Sequence, residues 1–423
     1  MKTLEIQPIP HPLKTSVRVP GSKSLTNRAL LIASLANGTT RLTNALFSDD
    51  SRYFAGALKT LGFDVQLDEA NREMTVVGLG GKIPASKAEL FIGNAGTAAR
   101  FLSAFLTLGT GEYILDGDAR MRQRPIGDLV DALAQLGGEL ETNNNCPPVK
   151  IKASGLRGGK TKIAGDISSQ FLSALLMVVP YARQPIEIEV ITALNSKPYV
   201  DMTIAIMKDF DVEIERCGYS QFIIHPANYL PVSTYTIESD ASAASYFFAA
   251  PAICGGTVRV ENISRKSKQG DIAFLDILKQ MGCQIREGEN FIEVTDSADL
   301  RGIDADLRDI PDTAQTLAVI APFASSPTRI RGIASARLKE TDRIQATCTE
   351  LARLGVQVEE YEDGLTVYPC EKFNPATIRT YNDHRLAMAF SLIGLRMDGV
   401  IIENPACVAK TFPDYFEVLE CLR

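Results

Sequence analysis

The 423-residue chain contains no tryptophan and only three histidines, His11, His225 and His384. Its eight cysteines are scattered, and no two form a CxxC pair. Together these absences argue against a zinc site and fit a reducing compartment. No run reaches the roughly 18 uncharged apolar residues that a spanning helix needs. MKTLEIQPIPHPLK has neither the apolar core nor the cleavage site of an export signal, so a cytoplasmic location is expected. A net charge of −7 without a basic stripe argues against nucleic-acid binding.

The most informative absence is local. Residues 6 to 48 contain no Asp or Glu, yet the stretch VPGSKSLTNRALLIASL places Lys23 and Arg28 in what reads as the first turns of a buried helix. Cations there oppose the positive end of the helix dipole, where acids are preferred. One explanation is a Ser-capped helix with two snorkelling cations. The other is an anionic ligand met by backbone NH groups, a hydroxyl, an ammonium and a guanidinium, and the missing acids favour it.

What is present is a repeat. Helices apolar nearly all round, opened by small polar residues, start at Ser22, Asn94, Ser168, Ser239, Asp312 and Asn382, spaced by 72, 74, 71, 73 and 70 residues. Between them recurs an amphipathic helix that runs into an alternating strand, as in ALKTLGFDVQL and ELARLGVQVEE. Gly62, Gly137, Gly282 and Gly355 are expected to end four of these helices, with Phe210 taking that place in the third. Each unit therefore reads strand, buried helix, strand, surface helix and a strand pair, an α/β class. Three units close a domain, so two domains follow, with the break near residues 234 to 240, sheets outside and apolar helices inside. Facing domains would leave an anion-binding cleft.

Polar groups cluster at the starts of the buried helices. FIGNAGTAAR offers Gly93 and Gly96 for close backbone approach, with Asn94 and Thr97 as caps, and residues 90 to 111 again lack acid. DGDARMRQRPIGDL carries Arg120, Arg122 and Arg124 before Pro125 starts a helix; one of the three is expected to be functional. Ser168, Ser169 and Gln170 exceed what capping requires and suit a polyhydroxylated ligand. In the second half the helices open on Asp240, Asp312 and Asp383. Capping accounts for Asp240 and Asp383; Asp312 is either a cap or a general base. SARLKETDR sets Glu340 among Arg337, Lys339 and Arg343, and NDHR and VAKTF add His384, Arg385 and Lys410. A charge run of this kind is usually a solvated face; an acid among cations also suits proton exchange with a bound anion.

PGSKSLTNRALL, GNAGTAAR, RQRPIGDL, ISSQFLSALLM, NSKPYVDMT, IPDTAQT, RLKETDR, YNDHR and AKTFPDYF together resemble the 5-enolpyruvylshikimate-3-phosphate synthase family, in order over the whole chain. That resemblance implies two inside-out α/β domains, residues 20–239 and residues 1–19 with 240–423. It implies transfer of the enolpyruvyl group of phosphoenolpyruvate to the 5-hydroxyl of shikimate 3-phosphate, through a tetrahedral intermediate, with no metal or organic cofactor. Asp312 would accept and Glu340 donate the proton, with Lys23 beside both substrates. Shikimate 3-phosphate would meet Lys23, Ser24, Arg28, Ser168, Ser169, Gln170, Ser196, Tyr199, Asp312, Ser335 and Lys339. Phosphoenolpyruvate would meet Lys23, Asn94, Gly96, Arg124, Gln170, Arg343, His384, Arg385 and Lys410. A monomer inhibited by glyphosate is implied as well.

Two positions depart from the family's commonest pattern: Ser335 stands where many members have Asn, and Phe101 where many have Pro. Competing readings are the related enolpyruvyl transferase acting on UDP-N-acetylglucosamine, an RNA terminal phosphate cyclase, and a non-catalytic anion binder. The first typically carries a Cys in the loop that here reads DARMRQRP. The last has no need of Asp312 and Glu340 among the cations.

Overall fold

A computed structural model describes residues 2–423. The chain divides into two compact units, Gly21–Ile237 and the segment ending at Pro20 joined with Glu238–Arg423. Each has its own hydrophobic core. Among the described residues no helix is long and apolar enough to cross a membrane.

In the unit Gly21–Ile237, three inner helices, Lys23–Leu35, Gly96–Leu106 and Ser169–Val178, are almost wholly buried. Their all-round apolar faces explain this: a helix with no polar side must be covered on every side. Three four-stranded sheets cover them, each a parallel pair extended by an antiparallel hairpin. Lys87–Phe91 runs parallel to Thr110–Asp116, which pairs antiparallel with Cys146–Ser154 and through it with Glu139–Asn143. Gly159–Ile163, Ile186–Val190, Gln221–Ile224 and Glu215–Cys217 repeat the pattern.

The third sheet shows how the repeats close. Its strand Asn37–Thr43 takes its parallel neighbour from the end of the unit, Thr234–Thr236. The strand that precedes the first helix, Leu13–Arg18, belongs to the other unit, where it runs parallel to Gly256–Glu261. The chain thus exchanges first strands between its two halves.

The other unit packs the inner helices Ala241–Cys254, Ala314–Ile320 and His384–Gly394 together. The hairpins read from FIEV and LTVY are present, as Gln284–Glu287 with Phe291–Thr295 and Val358–Tyr361 with Gly364–Val367. The sixth repeat departs from the pattern, for its sheet has three strands and no hairpin of its own. After Val400–Glu403 the chain passes through the helix Tyr415–Glu420 to its last residue, and Thr3–Ile6 pairs antiparallel with Val400–Glu403 in the hairpin's place.

One helix stop differs from expectation. Phe210 is the last helical-type residue, aligned with Leu61 and Leu354, and Asp211 takes the left-handed position at φ 67 that Gly62, Gly137, Gly282 and Gly355 hold elsewhere. Pro125 likewise precedes its helix rather than starting it, since that helix runs Gly127–Gln135.

Candidate active site

The first inner helix is capped by Ser22, whose hydroxyl accepts from the Leu25 amide. Lys23 at its tip does have an acid partner: Asp50, from the helix Asp49–Thr60, lies 3.6 Å from its ammonium and is itself buried. The acid absent from residues 6 to 48 arrives just beyond them.

Arg28 is different. Its side chain is 1 % exposed, and no carboxylate among the described residues lies within ion-pair distance. Its Nε donates to Thr203 Oγ1 at 2.7 Å, Nη1 to the Ser24 carbonyl at 3.0 Å, and Nη2 to Ser173 Oγ and the Tyr199 carbonyl at 3.3 and 3.2 Å. Burial pulls its pKa down to about 10, against the opposing field of Tyr199, so it is a cation at neutral pH. A buried guanidinium with neutral partners is what an anionic ligand would complete.

Asn94 does not cap the second inner helix; Ala95 stands at the cap without a side-chain bond. Asn94 instead holds Arg124, whose Nη1 donates to its backbone carbonyl at 3.1 Å and its side-chain oxygen at 2.9 Å. The guanidinium lies against Gly96, where an added Cβ would stand 2.5 Å from Nη2. Of the three arginines in that loop only Arg124 is buried; Arg122 pairs with Asp116 at the surface, and Arg120 donates to Gln123. Arg100, not singled out from sequence, ties the loop to the helix by donating to the Pro125 carbonyl at 2.6 Å.

Ser168 is the cap of the third inner helix, accepting from the Gln170 amide at 3.3 Å, and Ser169 and Gln170 follow in the first turn. Ser196 is mostly buried in a left-handed backbone conformation at φ 55, directly before the helix Lys197–Asp209 that carries Tyr199.

In the other unit an ionic network forms at the starts of the inner helices. Asp312 sits in the single turn Pro311–Thr313, and its two oxygens pair with Arg343 at 3.2 Å and Arg385 at 2.6 Å. Arg343 also meets Glu340 at 2.7 Å and Asp383 at 2.7 Å, while Lys410 lies 3.8 Å from Glu340. Burial alone would lower the pKa of Arg343, but Asp383, Glu340 and Asp312 outweigh it and hold the guanidinium above its ordinary value.

Asp240 caps its helix, accepting from the Ala243 amide. Asp383 caps too, accepting from the Arg385 amide, but it does more: fully buried, it fixes Arg343. His384 is fully buried, with Nδ1 3.6 Å from Asp383. Within SARLKETDR, Arg337 is bound locally to Asp342 and Glu360, and Asp342 caps the helix Arg343–Arg353. Ser335 and Lys339 lie half-buried at the preceding turn.

Asp383, Asp50 and Asp271 are the acids that sequence reasoning passed over in these roles. Asp271 accepts from the Ser242 hydroxyl and is pushed up to about 6, chiefly by burial and then by Asp312. A helix-start acid looks like a cap in sequence, and nothing there shows a second contact.

The pattern of the family described as EPSP synthase (3-phosphoshikimate 1-carboxyvinyltransferase) matches residues 8–419. The chain belongs to this family. It is 50% identical over 418 residues to the 3-phosphoshikimate 1-carboxyvinyltransferase of Nostoc punctiforme, covering 98% of each chain. With that of Sulfurovum sp. it shares 49% over 426 residues, covering 100% of this chain and 99% of the relative. Among solved structures it is similar to EPSP synthase from Acinetobacter baumannii, with a TM-score of 0.82, 26% identity and coverage of 99% and 98%. The enolpyruvyl transferase NikO from Streptomyces tendae shares the fold, with a TM-score of 0.80 at 20% identity, covering 99% and 97%. Family membership supports the two-domain EPSP synthase fold and a transferase of the shikimate pathway.

Proposed function

We propose that this chain transfers the enolpyruvyl group of phosphoenolpyruvate to the 5-hydroxyl of shikimate 3-phosphate and releases phosphate, by addition and elimination. The observation that carries the reading is the pair of charge patterns: a buried, carboxylate-free Arg28 with Arg124 in one unit, and acids threaded among arginines in the other. Two multiply charged substrates repel each other, and fixed guanidinium and ammonium groups offset that repulsion.

Arg28, Ser24, Ser168, Ser169, Gln170, Ser196, Tyr199, Ser335 and Lys339 bind shikimate 3-phosphate. Asn94, Gly96, Arg124, Gln170, Arg343, His384, Arg385 and Lys410 serve phosphoenolpyruvate, Asn94 by holding Arg124 and His384 from beside Asp383. Lys23 touches both substrates. Asp312, gripped by Arg343 and Arg385, takes the proton of the attacking hydroxyl; Glu340, between Arg343 and Lys410, delivers one to the methylene carbon. For that step Glu340 must carry a proton, as an acid placed among cations can receive from a bound anion. The protein acts as a monomer in the cytoplasm, and glyphosate competes with phosphoenolpyruvate at Gly96 and Arg124.

Phosphate release measured with each substrate alone and with both decides the reading. Release only with both is expected, and Asp312→Asn and Glu340→Gln should each lower kcat by about a hundredfold or more. Turnover unchanged in either variant refutes the role given to that residue. An inhibition curve flat to millimolar glyphosate refutes the assignment of the inhibitor's place.

A further inference from the structure

We infer that Phe101 is a positioning residue for shikimate 3-phosphate, acting through Arg28. The ring of Phe101, fully buried on the second inner helix, faces the Arg28 guanidinium with its centroid 5.2 Å from the Cζ atom. The inference rests on the reading of Arg28 as a shikimate 3-phosphate ligand.

Arg28 is buried without a carboxylate, and its four hydrogen bonds go to two hydroxyls and two carbonyls arranged around the edge of the guanidinium plane. Neutral acceptors offset only part of the cost of burying a cation. The Cζ atom lies over the ring, and an aromatic face carries negative potential. A carboxylate in its place would compete with the incoming phosphate for the N–H donors. A ring stabilises the cation while accepting none of them. Phe101 therefore helps hold the guanidinium in place and charged, with donor capacity on Nη1 left for an anion.

The same helix begins at Gly96, against which Arg124 lies. One helix thus lies against both Arg28 and Arg124, and a change confined to the Phe101 ring should reach only Arg28.

The test replaces Phe101 with 4-fluoro-, 3,5-difluoro- and 3,4,5-trifluorophenylalanine, which drain the ring's negative face with little change in shape. The dissociation constant for shikimate 3-phosphate, read by titration calorimetry, should rise stepwise to about tenfold at three fluorines. The KM for phosphoenolpyruvate and the melting temperature should stay put. A flat series, or one in which both substrates and the melting temperature move together, overturns the inference. Arg28→Lys runs alongside: a raised dissociation constant for shikimate 3-phosphate there with a flat fluorine series sinks the role of Phe101 alone. An unchanged constant in Arg28→Lys sinks the ligand role of Arg28 and the inference with it.

Discussion

Gly96 has no side chain, and the Arg124 guanidinium occupies the space one would take. A methyl group there forces the guanidinium to move, because the backbone on the other side belongs to a buried helix. Gly96→Ala should therefore raise the KM for phosphoenolpyruvate about tenfold or more while leaving that for shikimate 3-phosphate near its original value. Steady-state kinetics with each substrate varied in turn checks this; equal shifts in both would refute it. The residues at this scale were partly legible in sequence. The acid-free stretch around Lys23 and Arg28 pointed to an anion, and Arg28 does lack an acid partner, whereas Lys23 has Asp50. Sequence offered capping as a full account of Asp383, and burial beside Arg343 is a tertiary fact that no local pattern encodes.

At the scale of elements, the six buried helices could be read because an all-round apolar stretch has only one stable environment. Their spacing gave the repeat, and the Gly stops gave the ends of four surface helices. The third stop was harder, because Asp211 and not a glycine takes the left-handed conformation, at a cost that a short polar side chain only partly avoids. Asp211→Gly should relieve that strain and stabilise the unit by about 0.5 to 1 kcal/mol, somewhat reduced by the greater freedom of an unfolded glycine. Denaturant midpoints at unchanged slope measure it. A lower midpoint would show that the Asp side chain makes a compensating contact. The strand exchange was invisible to periodicity: Leu13–Arg18 and Thr234–Thr236 both read as strands beside a buried helix, and nothing local says which sheet each joins.

For the whole molecule, that exchange makes the halves unequal. Gly21–Ile237 contains every strand of its three sheets. Glu238–Arg423 lacks two strands, Thr3–Ile6 and Leu13–Arg18, each of which completes a sheet. Expressed alone, residues 21–237 should unfold cooperatively, and residues 238–423 should not unless residues 1–20 are supplied. The last residues lie beside the borrowed segment, Arg423 donating to the Gln7 carbonyl and Thr15 to the Cys421 carbonyl, so a flexible linker can lead from there back to the segment's start. A permuted chain running 238–423 and then 1–20 should melt in a single transition by calorimetry. A cooperative 238–423 fragment would show instead that the borrowed strands are dispensable.

The borrowed strand has a consequence in time. Leu13–Arg18 leaves the ribosome early, but its partner Gly256–Glu261 follows only after the whole first unit has been made. At about 5 to 20 residues per second the strand waits for tens of seconds. Meanwhile its neighbour unit can fold and offers it no place, because Thr234–Thr236 already fills that edge. An unpaired strand left waiting invites pairing with another nascent chain. Its sequence answers that hazard: Pro10 and Pro12 precede it, and Lys14 and Arg18 lie within it, as prolines and charges that keep a waiting segment soluble. The acid-free stretch thus carries two sets of cations, Lys14 and Arg18 in the waiting strand and Lys23 and Arg28 in the helix that follows it.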